Sequence, residues 1–190
     1  MKRYSRPLAW SVSVLLAGLA TIAIVVNPVM ADMNVVTQTF NIPPAPCEGL
    51  DLAGVLYSFT IAGAPSLACT AGTFVGPGVT NNIQAPNIEG SAAGVLHLTF
   101  EVPTTKFGFG VAQSTLASPQ SVVIDLFRPG AGLLRQEVPL VTTNDPGFVG
   151  ARFDYDGPAV RTATISFPVG PYTRFAVDNV SYFRPPGKSK

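Results

Sequence analysis

An antiparallel all-β sandwich of about nine strands, arranged as a jelly roll, is the fold this sequence predicts, and three observations predict it. Apolar residues recur at every second position, the period of a strand buried on one face, whereas the 3.6-residue period of an amphipathic helix is missing after residue 31. Turn signals built on Gly and Pro cut the chain into short segments, supplied by 18 Gly and 18 Pro in 190 residues. Hydrophobic residues make up 47% and charged residues 12%, too apolar and too weakly charged for a disordered chain, so the segments have a core to bury.

Residues 1–31 read as a secretory signal. Lys2, Arg3 and Arg6 precede an apolar run from Leu8 to Val26, and Asn27-Pro28 ends it. Val29-Met30-Ala31 then places small or apolar residues ahead of a cleavage site between Ala31 and Asp32. A run of about 19 residues is also just long enough to span a bilayer, so an uncleaved anchor is the alternative. Cleavage leaves one sandwich domain over 32–184 and a short polar tail over 185–190, with nine basic against eleven acidic residues. Such a product is expected to be secreted or periplasmic, with no stable membrane anchor. A net charge of +1 for the whole chain gives no electrostatic footprint for nucleic acid.

Strands are expected over 35–40, 55–61, 95–102, 106–112, 121–127, 133–138, 148–155, 162–167 and 174–183. In the clearest of them, Leu96, Leu98, Phe100 and Val102 alternate with Val95, His97, Thr99 and Glu101. Ala163, Ile165 and Phe167 alternate in the same way with Thr162, Thr164 and Ser166. Turns are expected at Gly63-Ala-Pro65, Gly76-Pro-Gly78, Arg128-Pro-Gly130, Asn144-Asp-Pro-Gly147, Asp156-Gly-Pro158 and Val169-Gly-Pro171, and residues 76–93 form the least regular stretch. The last strand breaks its own alternation: Phe175 and Val177 fall on one parity, Val180 and Tyr182 on the other. One extra residue near Asp178-Asn179 restores both pairs to the core face, which is what a β-bulge does. It either aims Asp178 at a specific partner or leaves an acidic kink facing water, and the water-facing arrangement is the simpler expectation. Cys47 and Cys69 are the only cysteines. In an exported chain they are expected to bond, closing a loop worth about 3 kcal/mol in the chain-entropy model.

Phe175-Ala-Val-Asp-Asn-Val-Ser-Tyr-Phe183 resembles the closing strand of bacterial secreted β-sandwich proteins of the exosortase-associated, PEP-CTERM-like type, and of galactose-binding-like and MAM-like jelly rolls. Val102-Pro-Thr-Thr-Lys-Phe-Gly-Phe-Gly110 and Pro146-Gly-Phe-Val-Gly150 are similar to two further segments of that family, in the same order. The resemblance implies a sandwich fold outside the cytoplasm. The family's C-terminal Pro-Glu-Pro sorting anchor has no counterpart, so release or periplasmic retention is expected in place of sorting. Related jelly rolls hold calcium between a first-strand loop and a final-strand acid. The resemblance therefore nominates Asp178, with Asn41 or Glu48, as ligands of a structural calcium, Asn41 standing where the related segment carries Asp.

Catalytic patterns are missing. The one histidine, His97, lies on the non-core parity of its strand, and no Gly-x-Ser-x-Gly, HExxH or phosphate loop occurs. Asp154 and Asp156 share a strand face, but the acidic cluster of sandwich glucanases is absent, so no catalytic residue is assigned and an enzyme is not expected. The expected function is binding of a glycan or another cell-surface polymer. Tyr155, Tyr172 and His97 would offer exposed rings, with Asp156 and Arg174 as hydrogen-bonding partners. The alternative is a structural or adhesive extracellular module that engages other proteins. Exposed aromatics gathered round one cleft would favour the first, and a dominant flat apolar patch the second.

Overall fold

The computed structural model describes residues 34–73, 83–114, 120–142, 148–167 and 174–184. The signal segment, the tail, Tyr172 and the turns at Gly76, Asn144 and Val169 lie outside the described residues. Residues 31–190 form a compact unit of their own. The strands in chain order are β1 (Asn34–Gln38), β2 (Ala45–Pro46), β3 (Leu50–Leu52), β4 (Val55–Ile61), β5 (Ala64–Pro65), β6 (Cys69–Thr73), β7 (Asn87–Ser91), β8 (Gly94–Ser114), β9 (Gln120–Arg128), β10 (Gly132–Thr142), β11 (Phe148–Ser166) and β12 (Arg174–Arg184). Their pairings, the long β8–β11 ladder among them, are antiparallel.

The expected antiparallel sandwich forms, but with two strands that serve both of its layers. β8 and β11 run alongside each other for most of their 21 and 19 residues. The first half of β8 joins β4, and the last part of β11 joins β9, giving one layer completed by β10. The second half of β8 joins β12, which carries β7 along its early residues and β1 along its later ones. The hydrogen bonding is thus continuous through 12 strands. The two layers close over one core, where Phe59 of the first meets Phe175 of the second at 5.8 Å between ring centres and Phe100 meets Tyr182 at 5.6 Å.

This sharing corrects the strand count. The breaks expected after Val102 and at Asp156-Gly-Pro158 are bends inside single strands, with register shifts between Asp156, Val160 and Thr162 taking up the corner. Thr104 is buried at the bend, its hydroxyl shared between the carbonyls of Lys106 at 2.8 Å and Phe183 at 3.0 Å. Short strands β2, β3, β5, β6 and β7 were not expected, because two to five residues are too few to show a period. β7 lies in the stretch expected to be irregular.

Other expectations hold. Cys47 and Cys69 are bonded and buried, with Cα atoms 5.4 Å apart. The β12 bulge sits where the parity break placed it, as a register shift between Asp178 and Ser181 with Asn179 at φ 50°. The turn expected around Gly63 is a two-residue hairpin of Ala62 and Gly63, both at positive φ, joining β4 to β5.

Candidate functional site

The bulge decides which residues of β12 face outward. Beyond it, Val180 and Tyr182 are buried in the core, so Ser181 and Phe183 turn to the opposite face of the layer. The ladders then lay out two rows on that outer face. Thr37, Ser181, Gly108 and Asp154 line up across β1, β12, β8 and β11. Toward the corner, Val35 pairs with Phe183, Lys106 pairs with Asp156, and the Lys106 Nζ lies 5.5 Å from the centre of the Phe183 ring.

A groove of about 300 Å³ opens between these rows. Phe183 and Val35 give it an apolar wall, Lys106, Asp154 and Asp156 a polar one, and Ser181 a hydroxyl. Phe107, Tyr155 and Tyr182 also border it, but they are buried, with their rings packed in the core. The floor is Gly108, and no larger residue fits there. A Cβ at this position would overlap Asp154 Oδ1 and come within 2.6 Å of the Phe153 carbonyl oxygen and 2.8 Å of an Arg152 nitrogen. Arg152 occupies the space so created. Its Nε donates to Asp154 Oδ1 at 3.0 Å, and its other nitrogens donate to the Asn179 carbonyl at 3.1 Å and to Ser181 Oγ at 2.9 Å. Lys106 Nζ reaches Asp156 Oδ2 at 2.7 Å. The groove therefore carries two carboxylates, each paired to one base, with both acids more exposed than the bases they hold.

Of the four described residues expected to bind a ligand, Tyr155, His97, Asp156 and Arg174, only Asp156 presents its side chain to this groove. Tyr155 is a correction: it is buried, packs on Phe107 and donates from its hydroxyl to the Pro158 carbonyl at 2.7 Å. It was expected to be exposed because Asp156-Gly-Pro158 read as a turn, whereas the strand continues through it. His97 sits on the outer face of the other layer, 3.0 Å from Thr60 Oγ1. Partial burial lowers its pKa, opposed by the nearby Glu48. Arg174 is ion-paired to Glu89 at the far end of β12. Burial raises the Glu89 pKa against the pull of Arg174.

Asp178 corrects a second expectation. It is 2% exposed, not facing water, and its Oδ2 accepts the Gln84 backbone N–H at 2.8 Å while Oδ1 is buried without a hydrogen bond. Burial raises its pKa, opposed by backbone N–H groups of Gln84 and Asn179 and by Arg152. The residues nominated for calcium meet different neighbours: Glu48 accepts the Phe59 N–H at 2.9 Å, and Asn41 is an exposed residue after β1. Among the described residues no group of three or more His, Cys, Asp or Glu is arranged to hold a metal ion.

The class that these layers define is an antiparallel β-sandwich, and comparison with solved structures bears that out. A cleaved adhesin domain of Lys-gingipain from Porphyromonas gingivalis superposes with a TM-score of 0.52 at 13% identity, over 81% of this chain and 99% of that one. A family 29 carbohydrate-binding module aligns with a TM-score of 0.43 at 11% identity, over 80% and 88% of the two chains. A xylanase fragment from Clostridium thermocellum, carrying a family 22 carbohydrate-binding module, aligns at 0.42 and 15%, over 81% of this chain and 29% of that one. At such identities the adhesin likeness establishes the fold alone. No protein-family model matches the chain, and no curated protein sequence does either.

Proposed function

We propose that this protein is an exported, non-catalytic binding module that captures a glycan or another cell-surface polymer in the groove between β12, β8 and β11. The groove itself carries this reading: an apolar wall with an aromatic ring stands beside carboxylates and bases that can orient a polar ligand. The sugar-binding chemistry needs both parts, since sugar rings stack their C–H faces on aromatics and present hydroxyls at their edges. The disulfide supports a place outside the cytoplasm. The sandwich shared with a bacterial adhesin domain is consistent with a surface role.

A polysaccharide and glycan array probed with the purified chain tests the reading. Saturable binding that is lost in Phe183→Ala, with the fold intact by circular dichroism, supports it. An empty array, or binding that Phe183→Ala leaves untouched, refutes it. A second reading, adhesion to other proteins, rests on the opposite face of the molecule. There Phe127 and Leu133 are cross-strand partners on β9 and β10 and both remain about half exposed. Loss of cell or protein adhesion in the double variant Phe127→Ser with Leu133→Ser, but not in Phe183→Ala, would favour it.

A further inference from the structure

The ionisable groups of the groove restrict the sugars it can take, an inference that rests on the binding role proposed above. Its two acids and two bases cancel, and each carboxylate lies 2.7–3.0 Å from its base. An anionic sugar entering from solvent meets the carboxylates first, since Asp154 and Asp156 are each 69% exposed against 30% for Arg152 and 47% for Lys106. A cationic amino sugar finds those same carboxylates already neutralised, and its own charge must be stripped of water for no net gain. A hydroxyl has neither handicap. It donates to a carboxylate and accepts from the neighbouring N–H at once, so each ion pair is a ready partner for one hydroxyl. The two pairs lie on residues 154 and 156 of one strand, about 7 Å apart at the strand rise, roughly the span of a sugar ring with its substituents.

We infer that the groove selects uncharged, hydroxyl-rich polysaccharides, one sugar ring bridging the Arg152–Asp154 and Lys106–Asp156 pairs while its C–H edge lies against the apolar wall of Val35 and Phe183. At about 300 Å³ the groove stands at the lower end of small-ligand sites, room for one or two rings of a longer chain.

Affinity electrophoresis of the full chain through gels cast with hydroxyethylcellulose, galactomannan, polygalacturonate or chitosan oligomers tests this. The expected result is retardation by an uncharged polymer at least tenfold stronger than by either charged one, changing less than threefold between 50 and 500 mM NaCl. Lys106→Ala should weaken that retardation about tenfold, and Asp156→Ala likewise. Stronger retardation by polygalacturonate or chitosan, abolished in Phe183→Ala, overturns this inference and leaves the groove as the binding site. Retardation that Phe183→Ala does not alter, or none by any of the four, overturns both.

Discussion

Replacing Gly108 by Ala is the sharpest test of how the groove is built. The added methyl group has nowhere to go. Asp154 can swing its carboxylate into solvent, but the Phe153 carbonyl at 2.6 Å belongs to the β8–β11 ladder, so the strands themselves must part. Overpacking of this kind costs about 1–3 kcal/mol. Displacing the guanidinium adds the loss of its hydrogen bonds to Asn179 and Ser181, about 1 kcal/mol each. The exposed Arg152–Asp154 pair contributes at most about 0.5 kcal/mol. The expected total is about 3–5 kcal/mol, or about 6–20 °C in melting temperature for a domain of this size. Urea unfolding followed by circular dichroism, with Asp154→Ala as the control expected to lose about 0.5 kcal/mol, reads the difference directly. A Gly108→Ala chain within about 0.5 kcal/mol of the parent would mean that the close approach of β11 over β8 is not a constraint, and the reasoning would fall.

Three further outcomes follow from the same structure. Ala62→Asn should raise stability by about 0.5–1 kcal/mol, because the first position of the β4–β5 hairpin holds Ala at φ 50° and Asn tolerates that conformation better; an unchanged or lowered urea midpoint would contradict it. Burial raises the pKa values of Asp178 and Glu89, so the folded chain binds protons that the unfolded chain would release, and their contribution to stability is fully present below the ordinary carboxylate pKa and lost as pH rises through the folded values. Asp125, lowered by its hydrogen bonds from Arg135, acts in the opposite sense below that range, and His97, lowered by burial, opposes them between neutrality and mild acid, so the change in urea midpoint from neutrality to mild acid should be less favourable in Asp178→Asn than in the parent. Mutating both Cys47 and Cys69 to Ala should cost about 3 kcal/mol from loop closure over a separation of 22 residues, and the intact chain should take up alkylating groups only after reduction, as read by mass spectrometry.

How far the sequence foretells this molecule depends on the distance over which each signal acts. The alternation of Leu96, Leu98 and Phe100 and the parity break between Val177 and Val180 are local, and both describe what forms. The bend at Asp156-Gly-Pro158 is equally local in composition, but whether a Gly-Pro pair ends a strand or bends it depends on a partner. Here β8 stays alongside and keeps β11 going. The parity of Phe153 with Tyr155 was the available clue, since both share the core face. The groove was harder to foresee. Its residues come from positions 35, 106–108, 154–156 and 181–183, and only the ladders bring them together. Phe183 could have been nominated from the bulge, because a residue after Tyr182 must face away from the core. Lys106 and Gly108 carry no such mark, being one charged and one small residue in a strand.

Two strands that belong to both layers also change how the molecule comes apart. A sandwich made of separate sheets can slide or peel at its interface, but here the unbroken backbones of β8 and β11 run from one sheet into the other, and the end of β10 pairs with β11 beyond the corner as well. Pulling on the first half of β8 loads its second half, which carries Lys106 and Gly108 of the groove. Amide protons on both sides of the corner should therefore exchange with solvent through one common opening event rather than two. A groove tied in this way keeps its shape for as long as the whole domain stays folded, and loses it only when both layers open together.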